Sequence, residues 1–383
     1  MTGIPLSLYV HFPWCVRKCP YCDFNSHALR GELPESEYVE ALVHDLDYEL
    51  ASGEPRPLAS IFFGGGTPSL FSAAAIGRLL EQAAKRIAFA PDIEITLEAN
   101  PGTADAANFR GYRAAGVNRL SIGVQSLDAG ALKALGRIHG PDEARRALVL
   151  ARDAGFDNVN LDLMYALPQQ TLEQARADLA GALALAPEHL SYYQLTLEPN
   201  TEFFARPPPL PDHDAGWAMQ EQGQEMLAAA GYGQYEVSAY ARAGRRCRHN
   251  LNYWEFGDYL GIGAGAHGKR TRGGGATATI ERRARHKHPR TWLDAAGGAG
   301  AVQEERVVPA ADLPFEFAMN ALRLNGGFEL ARFEQRTGLP GERLGPALAQ
   351  AAGRNLIERE GGGVRASKRG RELLNQLTAL FLP

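Results

Sequence analysis

The first two hundred residues alternate between strand-like and helix-like hydrophobic patterns, and this alternation restricts the fold more than any other feature. Apolar residues recur at helical spacing in residues 37–50, 144–154 and 172–185. Between them lie short β-branched, aromatic or otherwise apolar runs, as expected for strands: residues 6–12, 60–63, 94–98, 119–125, 159–167 and 189–197. Six such units predict an α/β fold with a parallel sheet covered by helices, a partial (β/α)6 barrel or open curved sheet.

The chain changes character after residue 205. Residues 206–211 read Arg-Pro-Pro-Pro-Leu-Pro, which predicts an extended linker, and a helix and a strand follow between residues 215 and 240. From about residue 310 the order helix–helix–hairpin–helix is typical of a winged helix. We therefore predict three domains: the barrel in residues 1–205, a linker and α/β extension in 206–305, and a mainly helical, winged-helix-like domain in 306–383.

Composition excludes several classes of protein. The 383 residues carry a formal net charge of −4, which argues against a nucleic-acid binder and favours a lid or docking role for the winged-helix-like domain. The chain has no run of about twenty apolar residues and no signal-peptide pattern at its start. Its four cysteines are typical of the reducing cytoplasm. Residues 242–290 are strongly basic, which indicates either a solvated face or a patch for anionic partners.

Chemically distinctive residues follow the predicted strands. Cys15 follows the first run, three glycines at 64–66 follow the second, Asn100 follows the third, and Gln125 ends the fourth. Parallel β/α barrels carry their sites at the carboxyl ends of the strands. These residues are therefore predicted to converge on one rim of the barrel.

Three of the four cysteines lie in one short segment: Cys15, Cys19 and Cys22. Three thiolates can bind three irons of a [4Fe–4S] cluster and leave the fourth iron open for chemistry. A zinc site is the main alternative, but it usually has four ligands, and the fourth would come from His11, His27 or Cys247. A disulfide framework is disfavoured because the triplet leaves one cysteine over. The spacing and the position after a strand favour the cluster.

Several motifs together resemble a known family. The cysteine triplet, followed by Gly-Gly-Gly-Thr-Pro at residues 64–68, resembles the radical S-adenosylmethionine (SAM) proteins. Tyr-Val-His-Phe-Pro at 9–13 and Gly-Val-Gln-Ser at 123–126 are similar to the family of oxygen-independent coproporphyrinogen III oxidase. Cys-Arg-His-Asn-Leu-Asn-Tyr-Trp at 247–254 and the stretch 315–323 resemble one branch of it, the radical-SAM-type haem chaperones called HemW.

The resemblance implies a [4Fe–4S] cluster on the three cysteines with SAM bound at its open iron. The glycines at 64–66 let the backbone approach the methionine end of SAM, Gln125 suits its ribose, and Arg137 suits its carboxylate. Taken alone, each of these residues would more often serve in a salt bridge, a cap or a tight turn. The SAM contacts that the resemblance implies are Tyr9, Tyr21, Gly65, Gly66, Thr67, Glu98, Gln125, Arg137 and Asp162.

The sequence departs from the decarboxylating oxidase at two points. The oxidase motif continues Cys-x-x-Cys-x-Cys, but Phe24 stands at the last of those positions here. The oxidase also has a longer N-terminal segment that contributes to a second SAM site, whereas the first predicted strand of this chain begins at about residue 6. Both differences argue against coproporphyrinogen decarboxylation, and no catalytic residue is predicted.

Candidate haem ligands lie in residues 247–254 and in the glycine-rich stretch 261–268. His249 is the preferred ligand because the resemblance to the chaperone branch passes through it, and Cys247 and His267 are the alternates. Tyr253 and Trp254 are suited to stack on a porphyrin, and nearby arginines to pair with its propionates. A structural histidine beside a packed Tyr–Trp pair is the competing interpretation.

The sequence thus predicts a cytoplasmic haem chaperone with a SAM-binding cluster as cofactor and haem as cargo. Its expected partners are haem and haem-requiring apoproteins, respiratory membrane proteins among them, and nucleic acid is not expected. A homodimer and a peripheral contact at the inner face of the membrane stay open. The alternative is a radical SAM enzyme acting on a tetrapyrrole such as coproporphyrinogen III, and a zinc-structured regulator is a third hypothesis.

Overall fold

The computed structural model describes residues 3–51, 53 and 56–383. Residues 1 and 2, which the predicted first domain includes, lie outside the described residues. The strands, in chain order, are β1 (Leu6–Phe12), β2 (Trp14–Cys15), β3 (His27–Ala28), β4 (Leu58–Gly65), β5 (Phe89–Ala99), β6 (Arg119–Gln125), β7 (Val159–Tyr165), β8 (His189–Gln194), β9 (Gly233–Gln234), β10 (Ala239–Ala241), β11 (Asp258–Ile262), β12 (His267–Arg272), β13 (Thr279–Arg285), β14 (Val302–Val307), β15 (Phe328–Glu329), β16 (Ile357–Glu360) and β17 (Gly363–Ala366).

The α-helices follow the same numbering convention. They are α1 (Glu35–Ala51), α2 (Ala73–Ala84), α3 (Ala106–Ala115), α4 (Ala129–Ala134), α5 (Pro141–Asp153), α6 (Leu172–Ala184), α7 (Glu202–Ala205), α8 (His213–Ala229), α9 (Arg248–Trp254), α10 (Pro289–Leu293), α11 (Leu313–Ala321), α12 (Leu330–Thr337), α13 (Gly345–Gly353), α14 (Lys368–Glu372) and α15 (Leu374–Ala379). Within the described ranges, no helix has both the length and the apolar composition that crossing a bilayer requires.

A twelve-stranded mixed sheet forms the centre of the fold, in the order β14-β13-β12-β11-β1-β4-β5-β6-β7-β8-β10-β9. The six strands predicted from the sequence are β1, β4, β5, β6, β7 and β8, and each pairs with the next in parallel. Helices cover the sheet, and α1 buries Tyr38, Leu42 and Leu46 completely against it, the helical face that the spacing predicts. The predicted α/β class with a parallel central sheet is confirmed.

A seventh parallel strand, β11, was not predicted. It pairs with β1 on the side away from β4. Its sequence, Asp-Tyr-Leu-Gly-Ile, contains a glycine at 261, and glycine lowers the strand signal. The structure requires that glycine, because a Cβ at Gly261 would collide with the carbonyl oxygen of His267 on β12.

Residues 206–305 supply both edges of the central sheet. β10 pairs antiparallel with β8 at one edge, and β11 to β14 continue the sheet beyond β1 at the other. Residues 207–212 contain no helix or strand, as the proline run predicts. The predicted boundaries at 205 and 305 stay a prediction, because this segment shares its sheet with the barrel.

The C-terminal residues have a hydrophobic core of their own. Phe317 packs edge-on against Phe328 and Phe333, with ring centroids 5.0 and 5.2 Å apart. The helices α11, α12 and α13 precede the hairpin of β16 and β17, and β15 adds a third strand to it. This is the mainly helical, winged-helix-like arrangement that the sequence predicts.

The basic segment is not a continuous surface patch, and that interpretation is wrong for its strands β12 and β13. Arg285 pairs with Asp45 at 2.7 Å and with Glu49 at 2.6 Å, and all three side chains are buried. Arg283 also reaches Glu49, at 2.8 Å. Lys269 pairs with Asp258 at 2.9 Å, and Arg282 pairs with Glu316 at 2.6 Å. These cations bind internal carboxylates, because a buried charge needs a partner.

Candidate functional site

The carboxyl ends of the parallel strands surround a cavity of about 360 Å³, here called the cysteine cavity. Of the predicted site residues, it brings together Cys15, Cys19, Tyr21, Cys22, Gly65, Gly66, Thr67, Glu98, Gln125, Arg137 and Asp162. Tyr9 and His249 do not line it. The structure therefore contains the predicted convergence on one rim, while the roles of these residues as ligands stay predictions.

The three clustered cysteines are free thiols, and each is partly exposed. Thr67 Oγ1 donates a hydrogen bond to Cys15 Sγ at 3.3 Å, and Arg137 Nη1 donates to Cys19 Sγ at 3.6 Å. Such donors stabilise the thiolate that binds a metal, whereas burial raises the pKa of the Cys15 and Cys22 thiols. Three accessible sulfurs in one cavity fit a [4Fe–4S] cluster with an open iron.

The fourth ligands considered for a zinc site lie elsewhere. His11, His27 and Cys247 do not line the cysteine cavity. The Nε2 of His11 lies 2.8 Å from the Asn25 carbonyl oxygen, and the Nε2 of His27 lies 3.2 Å from Asn25 Oδ1. Cys247 is buried at another place in the fold. The donor set of this cavity therefore fits the cluster better than a four-ligand zinc ion.

The glycine loop at the end of β4 lies directly against the end of β1. The amide of Gly66 donates to the Phe12 carbonyl oxygen at 2.6 Å, and the amide of Thr67 donates to the Trp14 carbonyl oxygen at 2.7 Å. Gly65 has a φ of 109°, which side chains with a Cβ rarely adopt. A Cβ on Gly66 would lie 2.5 Å from the Trp14 oxygen. Gly65 is therefore required by its backbone conformation, and Gly66 by the close approach of the neighbouring backbone.

Replacement of Gly66 by alanine should destabilise the protein by about 1–3 kcal/mol, because the new Cβ meets backbone oxygens that cannot rotate away. The free energy of unfolding, from urea titration, measures the effect. Gly353→Ala is the matched control, since no heavy atom lies within 4 Å of a Cβ there, and it should be neutral or slightly stabilising. Equal stability of the two variants would contradict the close-approach argument.

Two partly buried carboxylates line the cysteine cavity. Glu98 Oε2 accepts a hydrogen bond from the Gly65 amide at 3.2 Å, and Asp162 Oδ2 accepts one from Ser121 Oγ at 3.2 Å. Burial, together with the charge of Asp162, raises the pKa of Glu98 to about 8. Burial also raises the pKa of Asp162. A bound cation would relieve this repulsion, so the pair is suited to a positively charged ligand.

Gln125 and Arg137 are held by neighbouring strands. Gln125 ends β6 with a φ of 67°, a left-handed conformation that is uncommon for residues other than glycine. Its Oε1 accepts a hydrogen bond from Tyr193 Oη at 2.8 Å. Arg137 Nη2 donates to the Gly123 carbonyl oxygen at 2.7 Å, which aims the guanidinium into the cavity beside Cys19. A strained residue that its surroundings hold in place is typical of functional sites.

A second cavity, of about 710 Å³ and here called the aromatic cavity, adjoins the first. Five residues line both cavities, so the two share a wall: Cys22, Asp23, Phe24, Gly65 and Glu98. The aromatic cavity has mostly aromatic and positively charged side chains around it: Tyr9, His11, Lys18, Phe24, Phe62, Tyr253, Tyr259, His267 and Lys287. Its volume lies within the range of small-molecule sites. Tyr9 belongs to this cavity rather than to the cysteine cavity.

The three candidate haem ligands differ in accessibility. His249 and Cys247 are 4% and 1% exposed and line neither cavity. His267 is exposed, lines the aromatic cavity, and makes no hydrogen bond through its ring within the part of the chain that the structure describes. Partial burial and the charge of Lys287 lower the pKa of His267. Its imidazole is therefore neutral near pH 7 and free to bind a metal.

His249 is fixed in a buried polar cluster. Its ring stacks on Phe62 with centroids 4.1 Å apart, and its Nδ1 and Nε2 lie 3.2 and 3.3 Å from Cys247 Sγ. Nδ1 is also 3.3 Å from Glu94 Oε1. Burial would raise the pKa of Glu94, but the contact with His249 and the charge of Arg119 hold it at about 2. Burial lowers the pKa of His249.

The sequence did not identify several residues of the aromatic cavity. Lys18 supplies positive charge, and Tyr259 extends the aromatic wall. Lys287, which supplies a second charge, lies in the basic segment 242–290 that the sequence offered as a patch for anionic partners. Lys18 lies between two of the cysteines, and Tyr259 lies on β11, so the unpredicted seventh strand was the missing signal. Trp254, predicted to stack on a porphyrin, instead lies under the guanidinium of Arg323, 4.3 Å from its ring, and lines neither cavity.

Comparisons with known proteins agree with this architecture. The Radical SAM superfamily matches residues 9–180, and the HemN C-terminal domain matches residues 308–373. The heme chaperone HemW of Escherichia coli K12 is 51% identical over 378 residues, covering 99% of this chain and 98% of that protein. The HemW of Haemophilus influenzae is 50% identical over 382 residues, with the same coverage. The mouse mitochondrial radical S-adenosyl methionine domain-containing protein 1 is 42% identical over 291 residues, covering 75% of this chain and 66% of that protein.

Among solved structures, the chain is similar to coproporphyrinogen III oxidase (HemN) from Escherichia coli, described as a radical SAM enzyme. The TM-score is 0.81, and the match covers 99% of this chain and 90% of that one at 24% sequence identity. At this identity the likeness concerns the fold, and it confirms a radical SAM fold with the C-terminal domain attached.

Proposed function

The chain belongs to the radical SAM family of the HemW heme chaperones, and from this membership we propose that it binds haem and delivers it to haem-requiring apoproteins. The observation that carries the proposal is the aromatic cavity beside the cysteine cavity. We further propose a cytoplasmic location, with respiratory membrane proteins among the recipients reached through a peripheral contact.

We propose that Cys15, Cys19 and Cys22 hold a [4Fe–4S] cluster and that the cysteine cavity binds SAM. The accessible sulfurs and the glycine loop support this assignment, and Glu98, Gln125, Arg137 and Asp162 offer the polar groups that SAM needs. When bound, the cluster supplies the electron that cleaves SAM in radical SAM chemistry. The residues of this chain bind SAM and orient it. Arg137 faces the carboxylate of SAM, and the pair Glu98 and Asp162 faces its positive charge.

For haem, the proposed site is the aromatic cavity with His267 as the iron ligand. The free, neutral ring of His267 supports this choice over His249 and Cys247, whose polar atoms are buried and bound to each other. Tyr253 and Tyr259 offer aromatic faces to a porphyrin, and Lys18 and Lys287 offer charges to its propionates. Phe24, 60% exposed, adds apolar surface where the oxidase has a cysteine.

A second candidate function is a radical SAM enzyme acting on a tetrapyrrole. The wall that the two cavities share favours it, because a ligand in the aromatic cavity would lie next to bound SAM. Phe24 weighs against the oxidase reaction, since the motif of that enzyme has a cysteine there. We therefore propose the chaperone function, with SAM and cluster in a controlling role.

One experiment separates the two functions. The cluster is reconstituted anaerobically, and the protein is offered haem and coproporphyrinogen III in parallel samples with SAM and a reductant. Stoichiometric haem binding, transfer to an apo-haemoprotein and no decarboxylated product would support the chaperone. Formation of protoporphyrinogen in step with SAM consumption would instead establish the enzyme and overturn the proposal.

The affinity for SAM should rise with pH up to about 8. The raised pKa of Glu98, about 8, means that its carboxyl carries a proton at pH 7 in the empty site. Binding of the cationic ligand favours the carboxylate and releases that proton, so affinity gains up to about tenfold per pH unit below pH 8 and levels off above it.

Isothermal titration of SAM from pH 6 to 8.5, in buffers of different ionisation enthalpy, measures this linkage. Glu98→Gln is the matched control, because it keeps the shape of the side chain and removes its titration. In the variant, SAM affinity should rise less steeply with pH, and fewer protons should be released on binding, because Glu98 no longer titrates. Identical slopes in the parent protein and in this variant would rule out linkage through Glu98.

A further inference from the structure

The buried cluster of Glu94, Cys247 and His249 has no role in the function proposed above. One donor atom from each side chain lies within 4.8 Å of the other two. The residues come from distant parts of the chain: Glu94 lies on β5, while Cys247 and His249 lie at the start of α9. All three are at most 6% exposed. A carboxylate, a thiolate and an imidazole are the three protein ligand types that zinc prefers.

The spacing of the donor atoms matches a coordination polyhedron. Zinc with bonds of about 2.0–2.3 Å to tetrahedral ligands places those ligands about 3.3–3.8 Å apart. Here Sγ of Cys247 is 3.2 Å from His249 Nδ1, Nδ1 is 3.3 Å from Glu94 Oε1, and Sγ is 3.8 Å from Oε1. The three donors therefore form one face of a tetrahedron of nearly the correct size.

Hydrogen bonds can satisfy this cluster, and a cation would fit the same lone pairs. A neutral imidazole has one N–H and one bare nitrogen, and a thiol has one S–H. Both ring nitrogens of His249 lie within 3.3 Å of Cys247 Sγ, while Glu94 Oε1 accepts the amides of Arg248 and His249 at 3.0 and 3.3 Å. The imidazole N–H can donate to Glu94 Oε1 and the thiol to Nε2, at 3.3 Å each. A cation gives all three lone pairs a common partner.

The surroundings fix the ligands in place, as outer-shell contacts do in metal sites. Phe62 stacks on the His249 ring at an angle of 6°, and the two α9 amides orient the Glu94 carboxylate. The opposing feature is Arg119, whose charge acts on both Cys247 and Glu94. The charge of Asp162 acts on Arg119 as well, and the thiolate and carboxylate together neutralise a dication.

We propose that Glu94, Cys247 and His249 bind a zinc ion that fastens α9 to β5, with a water at the fourth position. The site is separate from the cysteine cavity and does not depend on the proposed haem function. Its effect would be structural: α9 carries Tyr253, which lines the aromatic cavity, so the ion would hold one wall of that cavity in position.

The test uses the full chain with Cys15, Cys19 and Cys22 all replaced by alanine, so that zinc cannot occupy those thiols. After purification in the presence of zinc and removal of loosely bound metal, elemental analysis should find about one zinc per chain. Cys247→Ser in the same background should lose it. His139→Gln, at a buried histidine whose ring nitrogens contact Asn100 and the Val124 carbonyl oxygen, is the matched control and should keep it.

Cobalt substitution provides a second measurement on the triple-alanine protein, with and without the Cys247→Ser change. Cobalt bound at this site should give a thiolate-to-metal charge-transfer band that the serine variant lacks, while circular dichroism verifies that both are folded. Zinc should also raise the melting temperature of the parent but not of the variant. Absence of zinc from the folded triple-alanine protein, or metal content unchanged by Cys247→Ser, would overturn the proposal.

Discussion

Replacement of Cys19 by serine should remove the iron–sulfur cluster and leave the fold intact. Each of the three clustered cysteines would supply one thiolate to a different iron, so loss of one leaves an incomplete ligand set, and a serine hydroxyl is a poor ligand for iron–sulfur clusters. Cys19 is partly exposed, and its sulfur contacts Arg137 and Tyr21. Its replacement by the similarly sized serine therefore opens no buried cavity. Of all single substitutions in the cysteine cavity, those of the cysteines should have the largest effect.

Iron and acid-labile sulfide, measured after anaerobic reconstitution, provide the test. The parent chain should bind about four irons, and the variant should lose most of them together with the visible absorption of the cluster. Cys247→Ser is the matched control, because Cys247 lies outside the cysteine cavity, and it should keep a full cluster. Retention of the cluster by Cys19→Ser, or its loss from Cys247→Ser, would refute the assignment of the three ligands.

The residues of the cysteine cavity could be predicted from the sequence because short-range sequence patterns identify them. Its three thiols lie within eight residues of sequence, and the polar residues sit where parallel strands end, so a strand prediction also places the rim. Gly65 and Gly66 were predicted for the same reason, since a glycine run after a strand indicates a close backbone approach. Short-range patterns of this kind need no knowledge of the tertiary contacts.

The aromatic cavity and the buried cluster depend on contacts between distant residues. Glu94 and His249 lie 155 positions apart, and the stacking of His249 on Phe62 has no sequence signature. The sequence therefore suggested that His249 is available to bind haem iron, whereas the fold buries it. The prediction that residues 242–290 form a basic surface was wrong for the same reason. The carboxylate that neutralises Arg285 lies 240 positions away, on α1. Charge counted along a chain does not reveal which charges meet inside it.

The two cavities have different relations to Glu98. In the cysteine cavity its carboxylate accepts the Gly65 amide, and the same side chain also forms part of the wall of the aromatic cavity. A ligand that ionises Glu98 from one side changes the charge that a ligand on the other side meets. If SAM and haem bind at the proposed sites, this shared residue would give SAM a physical route to influence haem binding. Each ligand would then alter the affinity of the other by the same factor.

Replacement of His267 by alanine should weaken haem binding by about tenfold or more, equivalent to about 1.4 kcal/mol or more, and change the ligand-sensitive absorption bands of the bound haem. The reason is that the ring of His267 is neutral, is exposed at the aromatic cavity, and makes no hydrogen bond to any residue that the structure describes. Haem titration followed by absorption and resonance Raman spectroscopy measures both effects. His213→Ala is the control for a surface histidine, because the His213 side chain is 93% exposed and lines neither cavity.

Added imidazole separates a ligand role from a structural one. In His267→Ala, free imidazole can enter the space that the side chain leaves and should restore the histidine-type spectrum, whereas a packing defect would not respond. His249→Ala should keep that spectrum even where its affinity falls, because the loss of His249 disturbs α9 and Tyr253 rather than the iron. The opposite result would be a normal spectrum in His267→Ala and an altered one in His249→Ala that imidazole restores. His249 would then be the iron ligand, and α9 would have to open when haem binds.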